Sequence, residues 1–327
     1  MHNCYKEFKA ENNYELGRQM GAAFKAEAQG AVKTLKQDPS CGLKIERSKP
    51  YLEFTQKHFP QYIEELEGYA ESAEIDFQNL WILSLEDELS FCPSDKCSSA
   101  ITNQGRLVLH NEDWEAGLEN IISVVKKTIG TLTILELYYQ NTLGGNSFSI
   151  NSNGFTCTVN SLSHSDWQPG LPHNVIARWL SETADPEADF KKLENLPRAT
   201  GSNYIFANRD GKIWNMECSA KKQILTTPSS PFVHTNHYLS DGLKESETKT
   251  KADHTFYRYA KLLTSLHPNM SPDELKFLGC DESEGPILSV LNERTIAQAI
   301  TDTTAKTLKI RLKREDAADW VDYKLDF

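Results

Sequence analysis

The sequence changes character at Cys97, and this change constrains the fold more than any other feature of the chain. Before Cys97, apolar residues recur at helical spacing, most clearly from Tyr14 to Lys36. After it, short β-prone runs follow one another and are separated by turn residues. The sequence therefore predicts a helical segment over residues 1–96 and a sheet-containing part over residues 97–327.

The same patterns predict the individual elements. Helices are predicted over residues 14–36, 50–57, 61–72 and 76–88, and again from about residues 171, 186, 253 and 271. Strands are predicted over residues 98–102, 106–110, 120–127, 131–139, 147–151, 155–160, 203–208, 212–218, 223–226, 232–235, 307–313 and 320–325. This order of strands and helices is typical of a layered α+β fold with sheets between helices.

Composition narrows the class of protein and the compartment. The formal net charge of -11, with no stripe of Lys and Arg, argues against a nucleic-acid or anionic-membrane surface and favours a cationic amine partner. No signal-peptide run and no stretch of roughly 18 apolar residues is present, so we expect a soluble, cytoplasmic protein. The seven cysteines are scattered without a CxxC pair, which indicates reduced thiols.

Cys97 lies at the start of a predicted hairpin that turns at residues 103–105 and returns to His110. A chain that began at Cys97 would supply its own base, because an α-amino group has a pKa of about 7.7–8.0 and a thiol one of about 8.5. The alternative is that Cys97 is buried among apolar residues, which is the most frequent environment of a free thiol. Spacing alone leaves both interpretations open.

Four further polar residues are candidates for roles beside such a nucleophile. Asn160 and Asn236 each end a β-prone run, and converging amide N–H groups would form an oxyanion hole, whereas two turn-forming asparagines are the alternative. Asp113 should face the same side of its strand as Asn111, although a surface carboxylate would look the same in sequence. Arg258 lies among aromatic residues, where it could orient the nucleophile or cover the rings.

Other frequent kinds of site lack support. The chain has no Gly-rich phosphate loop, no GxSxG elbow and no HExxH helix, so we expect no cofactor. His234 and His237 are three residues apart at a predicted strand end, where alternate side chains face opposite ways. We therefore expect no metal site.

Taken together, short motifs along the chain resemble the acyl-coenzyme A:6-aminopenicillanic acid acyltransferase family of N-terminal nucleophile hydrolases, which is related to the choloylglycine hydrolases. The motifs include residues 14–21, Cys97-Ser98-Ser99, His110-Asn111-Glu112-Asp113-Trp114, Gly145-Asn146-Ser147, residues 153–162, Gly170-Leu171-Pro172, Ser202-Asn203-Tyr204 and His234-Thr235-Asn236-His237. The resemblance implies a four-layer αββα sandwich preceded by the helical N-terminal segment.

The resemblance also implies how the chain matures and which residues act. The precursor would cut itself between Lys96 and Cys97, giving a pro-segment of residues 1–96 that stays as a partner of a catalytic domain of residues 97–327. Cys97 would be the nucleophile and its α-amine the base. The other implied catalytic residues are Asp113 beside the amine, Asn160 and Asn236 at the oxyanion, and Arg258 near the nucleophile. The implied substrate-binding residues are His110, Asn111, Trp114 and His234.

The function expected from the resemblance is a self-processing cysteine amidohydrolase acting on a small acyl amide. The Asn111-Glu112-Asp113 motif is more similar to the animal β-alanyl-amine hydrolases of the family than to its penicillin branch. Lys96 stands where glycine is usual, and Tyr257 precedes Arg258 where a small hydroxyl residue is usual. The alternatives are an acyl-CoA-dependent N-acyltransferase, an unprocessed non-catalytic binding relative, which Lys96 favours, and an ester or lipid hydrolase. The oligomeric state stays open, a homo-oligomer included.

Overall fold

The structure, a computed structural model, describes residues 1–2, 4–90, 97–115, 117–250, 253–313 and 320–325, without the side chain of Glu86. Its strands form two sheets that pack face to face, and helices cover the outer face of each sheet. The four layers are those of the αββα sandwich, so the predicted fold class is confirmed.

Fourteen strands are described. They are β1 (Tyr5–Ala10), β2 (Cys97–Thr102), β3 (Leu107–Asp113), β4 (Ile122–Ile129), β5 (Leu132–Tyr139), β6 (Phe148–Asn151), β7 (Phe155–Ser161), β8 (Ser202–Asn208), β9 (Ile213–Cys218), β10 (Gln223–Thr226), β11 (Phe232–His234), β12 (Thr295–Asp302), β13 (Thr307–Leu312) and β14 (Val321–Lys324). The first sheet has the order β1-β4-β5-β6-β7-β8-β9-β10, and the second the order β11-β2-β3-β12-β13-β14. Among the described strands, neighbours are antiparallel except β1 and β4, which are parallel.

Helices lie on both sides of this pair of sheets. They are α1 (Asn13–Ala23), α2 (Lys25–Leu35), α3 (Cys41–His58), α4 (Pro60–Ala73), α5 (Phe77–Leu83), α6 (Glu86–Ser90), α7 (His173–Leu180), α8 (Pro186–Glu194), α9 (His254–Ser265), α10 (Pro272–Gly279) and α11 (Gly285–Leu288). Helices α1–α8 pack on the outer face of the first sheet, and α9 and α10 on the second. None of the described helices is long and apolar enough to cross a membrane.

The space between the sheets holds the site, because polar side chains interrupt its apolar packing. Ile205 and Ala207 of the first sheet pack against Ile101 and Val108 of the second. Alternate residues of a strand face opposite sides of its sheet, so the remaining positions of β2, β3 and β7 divide between this interior and the helical layers. That division decides which polar residues can meet.

The N-terminal helices differ from the prediction in their boundaries. The predicted helix over residues 14–36 is divided at Phe24, whose backbone (φ -114°, ψ 21°) is not helical. Phe24 is fully buried, and its ring lies 5.4 Å from that of Tyr138, so packing on the sheet outweighs continuity of the helix. The division also lets α1 approach α4 closely: a Cβ at Gly17 would lie 1.8 Å from the carbonyl oxygen of Glu65.

Helix α3 begins at Cys41, nine residues before its predicted start, and carries Pro50 inside it. Tertiary contacts support this irregular stretch, since Arg47 donates to the Leu89 carbonyl at 3.0 Å and the Trp81 indole to the Ser48 carbonyl at 3.3 Å. The helix predicted over residues 76–88 begins where expected, with the Asp76 side chain capping α5, but it is divided into α5 and α6.

Two strands were absent from the prediction, and both matter for the architecture. β1 lies in the segment expected to be helical and pairs with β4, so residues 5–10 are part of the first sheet. β12 is buried along almost its whole length and lies between β3 and β13 in the second sheet. The N-terminal segment is therefore integrated into the sandwich rather than attached to it.

Candidate active site

Cys97 is the first residue of β2 and pairs directly with Glu112 of β3. Directly opposed residues on antiparallel strands project to the same face of the sheet. The two side chains therefore meet between the sheets, where Cys97 and Glu112 are each 2% exposed. The Cys97 sulfur lies 3.1 Å from Oε2 of Glu112 and is placed to donate a hydrogen bond to it.

Three more side chains surround the Glu112 carboxylate. His110 Nε2 lies 2.9 Å from Oε2, and the Ser147 hydroxyl donates to the same oxygen at 2.6 Å. The Tyr139 hydroxyl donates to Oε1 at 2.5 Å. An ionised carboxylate has only acceptor sites, so Glu112 can satisfy all of these groups together with the thiol.

The electrostatic environment keeps the Cys97 thiol protonated. Burial raises the pKa of Cys97 well above its usual value, and the nearby negative charges of Glu112 and Asp113 raise it further. The backbone N–H of Asp113 acts in the opposite direction but is the smaller effect. Nucleophilic attack by this sulfur therefore requires a nearby group that accepts its proton.

The backbone of Cys97 is held by side chains from other elements. Its N–H donates to Oδ1 of Asn236 at 3.3 Å, and its carbonyl accepts from Nη1 of Arg258 at 2.7 Å. Arg258 also donates to Oδ1 of Asn236 at 2.8 Å and to the Ser98 hydroxyl at 2.5 Å. The structure thus brings together Cys97, Asn236 and Arg258, three residues that the sequence singled out.

Asp113 occupies the opposite face of β3 from Glu112, together with Asn111 as predicted. Its carboxylate accepts from the Thr295 hydroxyl at 2.6 Å and from Nδ2 of Asn292 at 3.0 Å, and it lies 3.6 Å from Arg258. Burial raises the pKa of Asp113, and Arg258 opposes that effect. Among the described residues, Asp113 is connected to the backbone of Cys97 through Arg258, whereas Glu112 contacts the Cys97 thiol itself.

Asn160 projects from β7 into the space between the sheets. Its Oδ1 accepts from the Ser99 hydroxyl at 3.0 Å, and Ser99 belongs to β2 together with Cys97. Its Nδ2 is buried and has no hydrogen-bond partner within the described part of the chain. A buried donor of this kind costs free energy unless a ligand or water satisfies it.

A cavity of about 190 Å³ adjoins the thiol. Its lining includes Cys97, Glu112, Trp114, Tyr139, Asn146 and Ser161 from the two sheets, and Ala31, Leu83 and Asp87 from the N-terminal segment. The Trp114 and Tyr139 rings lie 5.7 Å apart and give it an aromatic side. Both predicted parts of the chain therefore contribute to one cavity.

A model of the acyl-coenzyme A:6-aminopenicillanic acid acyl-transferase family matches residues 101–317 of the chain. The chain belongs to this family. The resemblance read from the sequence motifs is thereby confirmed, and the protein is an enzyme of the amide hydrolase and acyltransferase class.

Two curated proteins are similar to this chain over most of its length. The chain is 26% identical over 295 residues to the β-alanyl-dopamine/carcinine hydrolase of Drosophila melanogaster, covering 77% of this chain and 76% of that protein. It is 25% identical over 246 residues to the 40 kDa form of acyl-coenzyme A:6-aminopenicillanic-acid-acyltransferase of Emericella nidulans, covering 69% of this chain and 67% of that protein.

Solved structures with detectable similarity include penicillin V acylase from Agrobacterium tumefaciens, with a TM-score of 0.45 and 13% identity. That match covers 69% of this chain and 86% of the other. A mutant of the conjugated bile acid hydrolase from Clostridium perfringens gives a TM-score of 0.41 and 10% identity, covering 70% and 92%.

The residues expected to bind substrate in this family member are dispersed. Trp114 lines the cavity, and His110 contacts Glu112 beside it. Asn111 does not line the cavity, because it faces the other side of β3 and donates to the Gly279 carbonyl at 2.9 Å. His234 is fully buried against Glu217, at 3.0 Å, and does not line it either.

Glu112 is the functional candidate that sequence reasoning missed, because its contact with Cys97 depends on the exact length of the turn between β2 and β3. The observed turn covers residues 103–106 and sets Thr102 opposite Leu107 and Cys97 opposite Glu112, whereas the predicted turn over residues 103–105 would have set Cys97 opposite Asn111. Tyr139 and Ser147 come from the other sheet, so no local pattern could have placed them beside Glu112. Lys96, the predicted residue before the cleavage point, lies outside the described residues.

Proposed function

We propose that this enzyme is a self-processing cysteine amidohydrolase that cleaves a small acyl amide through an acyl-enzyme on Cys97. The observation that carries the proposal is the way Cys97 is held. Side chains of Asn236 and Arg258 bond its backbone N–H and C=O, while its sulfur borders the cavity. An N-terminal nucleophile needs its amine and its thiol fixed at one point, and this arrangement fixes both.

Maturation would begin with attack of the Cys97 sulfur on the carbonyl carbon of Lys96. The peptide C–N bond breaks as a thioester forms, and the thiol proton passes to the new α-amine of Cys97. Water then hydrolyses the thioester, leaving a carboxylate on Lys96 and a free thiol on Cys97. Residues 1–96 become a separate chain, which their share of the sheet and of the cavity keeps in place.

Turnover would use the same sulfur and the new amine. The α-amine, positioned by Oδ1 of Asn236, takes the thiol proton as sulfur attacks the acyl carbonyl carbon. The oxyanion that develops can accept from Nδ2 of Asn160, which is buried and unpartnered among the described residues. The proton then passes to the leaving amine, and water releases the acid. An amine in place of water would give acyl transfer.

The cavity favours a small substrate with a cationic part. Its volume of about 190 Å³ is below the range of roughly 300–1,000 Å³ of drug-sized pockets. Asp87 and Glu112 give its wall acidic groups, and Trp114 and Tyr139 give it aromatic faces that suit a cationic or aromatic amine. Because a relative is named a β-alanyl-dopamine/carcinine hydrolase, β-alanyl amides are the first substrates to test.

A second candidate keeps the chain intact and assigns the proton to Glu112. The contact of 3.1 Å between Glu112 and the Cys97 sulfur favours it, since this carboxylate can accept the proton without a free amine. This second candidate is also compatible with a lysine at position 96, because a residue with a side chain restricts the backbone strain that self-cleavage needs.

Mass spectrometry of the denatured, purified protein separates the two candidates. Self-processing predicts two chains, the second beginning at Cys97, and hydrolysis of β-alanyl amides by the cleaved protein. Cys97→Ala should remain one chain and be inactive, while Cys280→Ser, a half-buried thiol elsewhere, should behave as wild type. Amide hydrolysis by an intact wild-type chain would reject the amine mechanism and support Glu112. A Cys97→Ala protein that is still cleaved and still active would reject Cys97 as the nucleophile.

A further inference from the structure

We propose that Cys97, His110 and Glu112 form a binding site for Zn²⁺ and related thiophilic divalent transition metals. The three side chains offer a thiol sulfur, an imidazole nitrogen and a carboxylate oxygen, and these atoms all lie within 4.8 Å of one another. This set of donors suits Zn²⁺. Nothing in the proposed hydrolytic function is needed for this inference.

The separations between the donor atoms approach those of a tetrahedral zinc site. Zinc bonds of about 2.3 Å to sulfur and about 2.0–2.2 Å to nitrogen and oxygen place neighbouring ligand atoms roughly 3.2–3.6 Å apart. Oε2 of Glu112 lies 3.1 Å from the Cys97 sulfur and 2.9 Å from Nε2 of His110. A metal ion would replace the hydrogen-bonding protons between these atoms. The sulfur–oxygen and nitrogen–oxygen separations would each have to lengthen by a few tenths of an ångström.

Groups around the trio orient the ligands. Nδ1 of His110 lies 3.0 Å from the Ser99 hydroxyl. This hydroxyl can accept a hydrogen bond from a protonated Nδ1, which leaves Nε2 to bind the metal. Ser147 and Tyr139 donate to the Glu112 oxygens and fix the carboxylate. Outer partners of this kind tune metal ligands and are a regular part of metal sites.

Charge and access also suit a divalent ion. Binding of Zn²⁺ displaces the thiol proton to solvent, so one thiolate and the Glu112 carboxylate balance the charge of the ion while His110 binds as a neutral imidazole. Cys97 and Glu112 line the cavity of about 190 Å³, which gives the ion a route and leaves room for a water as fourth ligand.

The sequence predicted no metal site, because it offered only His234 and His237 as a close pair. The sequence alone does not indicate the group of Cys97, His110 and Glu112. Cys97 is separated in sequence from the other two residues and lies beside them only through the pairing of β2 with β3. His110 and Glu112 are two residues apart on one strand and share a face, which is the spacing that a strand-borne site requires.

The test is metal titration of the purified full-length protein, using Co²⁺ and Zn²⁺ alone as probes. Co²⁺ should bind one equivalent and give the near-ultraviolet charge-transfer absorption of a cobalt–thiolate bond, and Zn²⁺ should displace it. Cys97→Ala should abolish that absorption. Glu112→Gln and His110→Gln should weaken Zn²⁺ binding by roughly 10–100-fold, measured by competition with a chelating indicator.

Controls keep the outcome decisive. Cys280→Ser removes another described thiol, near Arg311 and Gln298, and should leave binding unchanged. Circular dichroism should show that each variant is folded, and Glu112→Gln provides the conservative test if Cys97→Ala is not. Weak binding without the thiolate absorption, or Zn²⁺ affinity unchanged in both Glu112→Gln and His110→Gln, would overturn the proposal. If the enzyme hydrolyses an amide, Zn²⁺ should inhibit it and a chelator should restore it.

Discussion

Glu112 and Cys97 face each other directly across β2 and β3, and this register brings the carboxylate within 3.1 Å of the sulfur. The adjacent Asp113 faces the helical layer instead, where Arg258 lies 3.6 Å away. Two neighbouring acidic residues thus serve different sides of Cys97: Glu112 contacts its thiol, and Asp113 lies beside the arginine that holds its backbone.

The first prediction concerns the Glu112 carboxylate. Glu112→Gln should lower kcat for amide hydrolysis by roughly 100-fold, because an amide presents an N–H₂ group to the donors of Cys97, Ser147 and Tyr139. Steady-state kinetics on a β-alanyl amide measures the effect. Glu115→Gln, an exposed site three residues on, is the matched control and should retain wild-type kinetics. A Glu112→Gln enzyme with the kcat of the wild type would show that this carboxylate takes no part in catalysis.

The second prediction concerns the buried pair of Arg258 and Asp113. Arg258→Met should lower the free energy of unfolding by about 3–5 kcal/mol, because it leaves Asp113 buried without its cation. The double variant with Asp113→Asn should lose less than the sum of the single variants, since the uncompensated charge is gone. Urea unfolding of the four proteins measures the coupling. Strictly additive losses would show that the two residues act independently.

The third prediction uses the pH dependence of stability at Glu217. Burial alone would raise the pKa of Glu217, but the buried His234 ring and the N–H groups of Leu239 and Ser240 outweigh it and lower the pKa to about 2. A depressed carboxyl pKa stabilises the fold above the unfolded value of about 4.5, and that stability is lost as pH falls towards 2.

Glu217→Gln should therefore cost on the order of 3 kcal/mol near neutral pH, and the difference from wild type should shrink between about pH 4.5 and 2. Urea unfolding at several pH values gives the two curves. Asp210→Asn, an exposed carboxylate in the β8–β9 turn, serves as control and should run parallel to wild type. A Glu217→Gln difference that does not change with pH would contradict the assignment.

The fourth prediction concerns residues 1–96 after the proposed cleavage. Arg178 of α7 is fully buried and pairs with Glu65 of α4 at 3.1 Å, so the two parts share an internal ion pair as well as a sheet. Native size-exclusion chromatography of the cleaved protein should give one peak containing both chains, which separate only in denaturant. Glu65→Gln should lower the urea midpoint for their separation, whereas the exposed Glu64→Gln should not. Separate elution without denaturant would refute this integration.

Local patterns predicted most of the strands and helices because hydrophobic period and turn residues determine them. They failed where a long-range contact decided the outcome. Phe24 interrupts a helix to pack against Tyr138, and β12 forms only because β3 and β13 lie on either side of it. The strand over Tyr5–Ala10 likewise depends on its partner β4, which lies more than a hundred residues away.

The site divides in the same way. Cys97, Asn236 and Arg258 were named from the sequence through the family resemblance, and the structure brings them together. Asn111 and His234 carried the same resemblance but lie away from the cavity, because a motif does not specify which face of a strand borders a ligand. Tyr139 and Ser147 reach Glu112 across the interface between the sheets, a contact that no local pattern encodes.

The parallel strand β1 also has a consequence for solubility. It covers β4, whose eight residues Ile122–Ile129 would otherwise form the border of the first sheet. An uncovered border of that length offers its backbone N–H and C=O groups to any other extended chain, which is how sheets aggregate. Removing residues 1–10 would therefore leave Cys97 untouched and still make the protein prone to self-association through β4.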